Sequence, residues 1–148
     1  MAVRILALAF LTCWGCEQFS EEVIDRKFPE KVWIYPDTVW GEVRFSTAGA
    51  CRQIEMYLEL EETYPWRNLY VLLWVQQPDG FRQASRIELV FSDSLGNWYR
   101  RDRRFRTFIA RNVSFASAGI YRIGILPYIR QDTVRGIRRV GLYLYPCL

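Results

Sequence analysis

The sequence contains no histidine in its 148 residues. Without histidine, neither a Ser-His-Asp nor a Cys-His catalytic arrangement can be built, and a zinc site loses one of its usual ligands. No Gly-x-Gly fingerprint or P-loop occurs. The adjacent carboxylates at 21–22 and 61–62 point to opposite faces of an extended chain, so neither pair forms an acid–base couple. An enzyme, a metal site and a cofactor are therefore not expected.

The chain also lacks an apolar run of the roughly 20 residues that a membrane-spanning helix needs. The run ILALAFL at 5–11 follows Arg4 and has the length of a signal-peptide core. Small Gly15 then precedes Cys16, as in a lipobox. We therefore predict a lipoprotein signal peptide over 1–15 and lipid attachment at Cys16. The alternative is an ordinary signal peptide cut nearby, which leaves Cys16 as a free thiol.

What is present instead is the two-residue period of β-strands. Ile54, Met56, Leu58 and Leu60 alternate with polar or charged residues, and 69–75 is apolar on both faces, as in a central strand. Turn chemistry follows in QPDG at 77–80 and SDSLGN at 92–97, and we predict a long strand or strand pair over 98–110. Strands at intervals of 8–15 residues predict an all-β fold, an antiparallel β-sandwich of Ig-like or jelly-roll-like type in a single domain after the signal peptide.

The predicted domain occupies 33–148, and the polar stretch 16–32 is expected to act as a tether. The segment SAGIY at 117–121 has the spacing of a tyrosine corner, in which the Tyr121 hydroxyl bonds to nearby backbone. The net charge of +4 is mild. Nucleic acid is excluded as a partner by the predicted export of the protein, and not by its net charge.

The chain has four cysteines. Cys13 leaves with the signal peptide and Cys16 takes the lipid, so Cys51 and Cys147 remain. An even pair in an oxidising compartment can form a disulfide. The alternative is that both are small buried residues or free thiols.

An arginine run between 100 and 106 is the strongest remaining feature, and its members are Arg100, Arg101, Arg103, Arg104 and Arg106. One interpretation is a solvated edge strand whose charge blocks edge-to-edge pairing. The other is a surface for phosphate groups, anionic glycans or an acidic protein, since the guanidinium fork binds such groups bidentately. The strand is expected at a sheet edge or on a poorly covered sheet, with Phe105 packed inward and Tyr99 on the same face.

Aromatic residues make up 16% of the chain, and most are expected in the core. Trp66 follows Pro65 in a predicted loop and is the best candidate for an exposed aromatic contact.

Five ordered stretches resemble the gliding-motility lipoprotein GldH family of Bacteroidetes: YPWRNLY at 64–70, PDG at 78–80, Asp93 with GNW at 96–98, Phe115 with AGIY at 118–121, and GIRRVGL at 136–142. The resemblance implies a membrane-anchored lipoprotein without catalytic activity, whose partners are proteins of the envelope and gliding machinery. That process is linked to type IX secretion. The family resemblance also implies that the protein is located in the cell envelope. We expect it on the periplasmic face of a membrane rather than on the cell surface. The alternative function is a carbohydrate-binding envelope lipoprotein, which exposed coplanar aromatic rings would favour.

Overall fold

The computed structural model describes residues 19–148, and the signal peptide and Cys16 lie outside them. These residues form ten β-strands and no helix. The strands are β1 Glu21–Lys27, β2 Val32–Ile34, β3 Val39–Phe45, β4 Ala50–Leu60, β5 Asn68–Gln76, β6 Arg82–Val90, β7 Arg104–Phe115, β8 Gly119–Pro127, β9 Thr133–Arg135 and β10 Ile137–Pro146.

Two four-stranded antiparallel sheets pack face to face. The first sheet has the strand order β1-β10-β4-β7, and the second has the order β3-β8-β5-β6. A short ribbon of β2 and β9 completes the fold. The predicted all-β sandwich in one domain is confirmed.

The core forms because alternate residues of each central strand face the opposite sheet. On β4, the side chains of Ile54, Met56 and Leu58 are at most 1% exposed. On β8, Ile123 and Ile125 are fully buried in the same cluster. The period of two that is visible in the sequence therefore identifies the buried face of the sandwich.

Two local predictions are also confirmed. The β5–β6 hairpin turns at 77–81, where Gly80 has a φ of 89° and the Gln77 N–H donates to the Phe81 carbonyl over 2.8 Å. The buried Tyr121 hydroxyl lies 3.1 Å from both the N–H and the carbonyl oxygen of Ser117. It accepts from the first and donates to the second, which is the tyrosine corner.

The tether predicted over 16–32 is wrong in its extent. Residues 21–27 form β1, which pairs with β10, so the folded domain begins well before residue 33. The segment looks like a polar linker because an edge strand places only part of one face in the core. Here that contribution is the buried Ile24, with Val23 packed beside it.

The strand predicted over 98–110 is also wrong in its bounds, since β7 begins at Arg104. Asp93 closes the preceding turn by accepting the N–H groups of Leu95 and Asn97. Arg103 then has a φ of 57°, a left-handed conformation that a regular strand residue does not adopt. β7 begins directly after it.

The two long sides of the sandwich differ. On one side β1 closes against β3, where Gly41 has no side chain and the Val23 carbonyl occupies the space. On the other side the outer strands β6 and β7 are free edges. They flank a crevice of about 100 Å³ whose lining includes Leu58, Leu89 and Phe105.

Candidate partner-binding surfaces

The strand directions give the sandwich two distinct ends. The end where β1 begins and β10 ends is called the anchor end, because Glu21 follows Cys16 by only five residues. The turns at 46–49, 77–81 and 116–118 lie there. The loop end is the opposite one, and it carries the connections 28–31, 35–38, 61–67, 91–103 and 128–132, of which 61–67 and 91–103 are the longest.

Exposed apolar side chains concentrate at the loop end. Seven of the eleven large exposed hydrophobic residues among residues 19–148 are there, namely Ile34, Tyr35, Trp66, Val90, Leu95, Tyr99 and Tyr128. Trp66 is 52% exposed and Tyr99 61%. Aromatic residues together with arginine are the composition typical of protein interfaces. The loop end is therefore one candidate partner surface.

The arginine run is divided by the start of β7 into two groups with different surroundings. Arg100 and Arg101 are exposed in the loop-end connection, where Arg100 pairs with Asp102 at 3.4 Å. The Arg103 guanidinium lies 3.5 Å from the centre of the Trp98 ring. Phe105 packs against the core as expected, whereas Tyr99 is exposed, so the prediction that the two share a face is wrong.

Arg104 and Arg106 lie on the outward face of β7 at the edge of the first sheet, opposite carboxylates of β4. Arg106 Nη1 is 2.9 Å from Glu55 Oε2, and Arg104 Nε is 3.8 Å from Glu59 Oε1. The edge position agrees with the prediction. The pairing with β4 does not fit an open patch of positive charge, because both guanidinium groups already have an anionic neighbour.

These contacts belong to a larger surface, which we call the Arg–Tyr face of the first sheet. Its members are Asp25, Glu55, Tyr57, Glu59, Arg104, Arg106, Arg139, Tyr143 and Tyr145. The Arg106 guanidinium lies about 5 Å from the ring centres of both Tyr57 and Tyr143. Glu55 also accepts a 2.9 Å hydrogen bond from the Tyr145 hydroxyl. Charges and aromatic rings thus alternate across four strands.

Burial on this face raises the pKa of the Tyr57, Tyr143 and Tyr145 hydroxyls. Hydrogen bonds from Arg139, at 2.6 and 2.9 Å, lower the pKa of Asp25. All three tyrosines remain protonated hydrogen-bond donors at neutral pH, and Asp25 remains ionised.

Sequence reasoning missed the tyrosines and Glu55 of this face. A signal was available, because Arg139, Gly141, Tyr143 and Tyr145 repeat with a period of two along β10.

Cys51 and Cys147 form a disulfide at the anchor end, with their Cα atoms 5.5 Å apart. The bond joins the start of β4 to the residue after β10, and it closes a loop with a sequence separation of 96. The two strands it links are already neighbours in the first sheet.

Trp66 borders a cleft of about 350 Å³ that is otherwise lined by Pro65, Gln131, Asp132, Thr133 and Arg135. It supplies the only aromatic ring of that lining. Within residues 19–148, no group of three His, Cys, Asp or Glu side chains is placed to hold a metal ion. The same residues contain no helix that is long and apolar enough to span a membrane.

A model of the GldH lipoprotein family matches residues 24–144, which is most of the chain. The chain belongs to the GldH lipoprotein family. Membership makes it a gliding-motility-associated lipoprotein of the cell envelope that is anchored to a membrane. The matched region starts within β1 and ends within β10, so it coincides with the sandwich.

Two solved structures match this GldH-family protein at low similarity. A serine protease of Aeromonas sobria is 12% identical, with a TM-score of 0.35, over 86% of this chain and 27% of the protease. A structure of infectious bursal disease virus, Gt strain, is 11% identical, with a TM-score of 0.40, over 99% of this chain and 42% of the viral one. The chain thus spans less than half of either. No curated protein matches it.

The Arg–Tyr face of this GldH-family protein yields a stability prediction. Arg106→Glu places a carboxylate against Glu55, whose side chain is only 12% exposed, and we expect a loss of about 2 kcal/mol in the free energy of unfolding. Arg106→Lys should lose less than about 1 kcal/mol, since the charge is kept. Urea unfolding of the two variants measures the difference. Equal losses would contradict the assignment of the Glu55 pair.

The Asp25–Arg139 pair predicts a pH dependence. Because the pKa of Asp25 is lower in the folded than in the unfolded protein, its stabilisation is present above the unfolded pKa of about 4 and is lost as the pH falls through the folded value. Asp25→Asn should cost about 1 kcal/mol at pH 7 and progressively less below pH 4. Urea unfolding of both proteins at pH 7 and pH 3 tests this. A cost that is the same at both pH values would exclude it.

Proposed function

We propose that this lipoprotein is anchored through Cys16 and acts, without catalysis, as a structural or assembly component of the gliding machinery, which is linked to type IX secretion. The family match over residues 24–144 carries this proposal. The periplasmic face of the membrane is the proposed location. The partners are envelope proteins of that machinery.

The loop end is the proposed contact surface for these partners. It lies at the end of the sandwich opposite to the start of β1, so attachment of lipid at Cys16 leaves it accessible. β4 has 11 residues, which at about 3.4 Å per residue separates the two ends by roughly 35 Å. Trp66, Tyr99 and Arg101 are exposed there, and they are of the residue types that dominate binding energy at interfaces.

Trp66→Ala is expected to reduce recovery of the partner by about 30-fold, as for a residue worth about 2 kcal/mol at an interface. The free energy of unfolding should change by less than about 0.5 kcal/mol, because the side chain is exposed. The measurement is affinity purification of the tagged, lipidated protein from its own envelope, with quantitative mass spectrometry of co-purified proteins.

Phe81→Ala is the matched control, because Phe81 is 59% exposed at the anchor end. We expect it to leave partner recovery unchanged. If both variants recover the partner equally, the loop end is not the contact surface. If the wild-type protein recovers no protein of the gliding machinery, the proposed function itself fails.

Carbohydrate binding has one observation in its favour, the cleft in which Trp66 lies beside Asp132 and Arg135. The stacked ring pair that the structure describes, Phe91 and Trp98, offers no platform, because Phe91 is buried and Arg103 covers Trp98. Binding of the wild-type protein, but not of Trp66→Ala, to immobilised envelope glycans would favour this second function.

A further inference from the structure

The outer edge of β6 is an unpaired strand edge. Its odd-numbered residues bond to β5, as shown by the flanking hydrogen bonds from Gln77 N–H to Phe81 O and from Phe91 N–H to Arg67 O. The backbone N–H and C=O groups of the even-numbered residues therefore point away from the sheet. Such a row of free donors and acceptors is a template for another strand.

The backbone of β6 has no irregularity that blocks this edge. Its register with β5 runs through nine residue pairs without a shift, and the strand contains no proline. The other edge on this side, β7, is interrupted by register shifts against β4 and by Asn112 at a φ of 54°. Bulges of this kind are how proteins protect free edges. A backbone irregularity thus protects β7, whereas β6 carries only the exposed charges of Arg82, Arg86 and Glu88.

The first half of β6 is uncovered on both faces. Residues 82–86 are all exposed, including Gln83 and Ser85, which point toward the first sheet. Val90, near the other end of the strand, is 43% exposed. A strand that pairs with this edge belongs to a second sandwich and brings that sandwich's other sheet with it. Because β6 is open on both faces, there is room for both.

The sequence ASRIELV at 84–90 is complementary to itself in antiparallel orientation. A register centred on Ile87 places Arg86 opposite Glu88 twice, because each chain supplies one of each. The same register sets Ile87 against Ile87 and Ala84 against Val90. A register centred on Arg86 would oppose two arginines. One centred on Ser85 would pair Arg82 with Glu88, but it would leave Arg86 opposite Ala84 and would replace the Ile87–Ile87 contact by Ile87 against Gln83.

We propose that two copies of this chain associate through antiparallel β6–β6 pairing centred on Ile87, which forms one continuous eight-stranded sheet. The two-fold axis is perpendicular to that sheet, so both first sheets lie on the same side of it. Both β1 strands start in that layer, and the two lipid anchors reach one membrane when the axis is along the membrane normal. The uncovered half of each β6 lies beside the covered half of the other.

Cysteine cross-linking in the native envelope tests the register. Residues 87 and 87 form a non-hydrogen-bonded pair with Cα atoms about 4.5 Å apart, within the range of a disulfide. Ile87→Cys should therefore give a covalent dimer on non-reducing gels, and peptide mapping should identify an 87–87 bond. Ser85→Cys is the control, and it should give at least about tenfold less dimer because its partner in this register is Leu89.

Charge exchange tests the complementarity. In the Ile87→Cys background, Arg86→Glu and Glu88→Arg each oppose like charges at two pairs, and each should lower the dimer yield about tenfold. The combined Arg86→Glu, Glu88→Arg variant restores opposite charges and should return the yield to within about twofold of the parent. The substituted side chains are exposed, so folding should persist, as checked by protease resistance.

A dimer from Ser85→Cys but not from Ile87→Cys would overturn the register. The absence of a dimer from both, or failure of the exchanged pair to recover the yield, would overturn the pairing. These outcomes are independent of which envelope protein binds the loop end.

Discussion

Cys16→Ala is expected to abolish lipid labelling and to move the mature protein from the membrane fraction to the soluble fraction. Residues 19–148 contain no helix that could span a membrane, and their apolar side chains mostly fill the sandwich core. Acyl chains at Cys16 would supply about 0.8 kcal/mol per buried methylene, which makes the lipid the dominant membrane contact. Membrane fractionation with metabolic labelling by a fatty acid measures both effects.

The matched control for Cys16→Ala is the double variant Cys51→Ser, Cys147→Ser. It removes two other cysteines, and it should keep the fatty-acid label and the membrane location. A Cys16→Ala protein that stays in the membrane at wild-type mobility and keeps its label would contradict lipid attachment at this residue.

The Cys51→Ser, Cys147→Ser variant should lose about 4 kcal/mol of unfolding free energy. The disulfide closes a loop with a sequence separation of 96, and the chain-entropy estimate for loops of this size is between 4 and about 5 kcal/mol. A loss of this size is a large fraction of the usual total stability of about 5–15 kcal/mol, so the double variant should be only marginally stable. Urea unfolding of the oxidised wild type and the double variant gives the difference.

Reduced wild-type protein is the control for this measurement, and it should unfold like the double variant. A difference below about 1 kcal/mol between oxidised wild type and double variant would mean that the disulfide contributes little. The pairing of β4 with β10 alone would then hold this end of the first sheet together.

The fold could be predicted because its dominant signal is local. The alternation of Ile54, Met56 and Leu58 with polar residues reports directly on a half-buried strand. The turn at 77–80 and the Tyr121 corner depend on residues that are close in sequence. By contrast, β1 and the start of β7 were misplaced. A polar edge strand resembles a linker, and the left-handed Arg103 leaves no signature in the sequence.

The candidate surfaces could be predicted only in part. Trp66 was identified as exposed because it follows a proline in a loop. The sequence shows that arginine is frequent between 100 and 106. It does not show that the run is divided between a loop and the strand β7. The carboxylates that pair with Arg104 and Arg106 come from β4, about 50 residues earlier in the chain, and only the sheet register brings them together.

Spreading of colonies by a strain that lacks the gene tests the central claim most directly, with wild-type and variant genes returned to it. We predict that the deletion strain does not spread, that wild-type protein and Phe81→Ala restore spreading, and that Cys16→Ala and Trp66→Ala do not, although both fold. A deletion strain that spreads normally would contradict a role in the gliding machinery. Full restoration by Cys16→Ala would contradict the membrane anchor as part of that role.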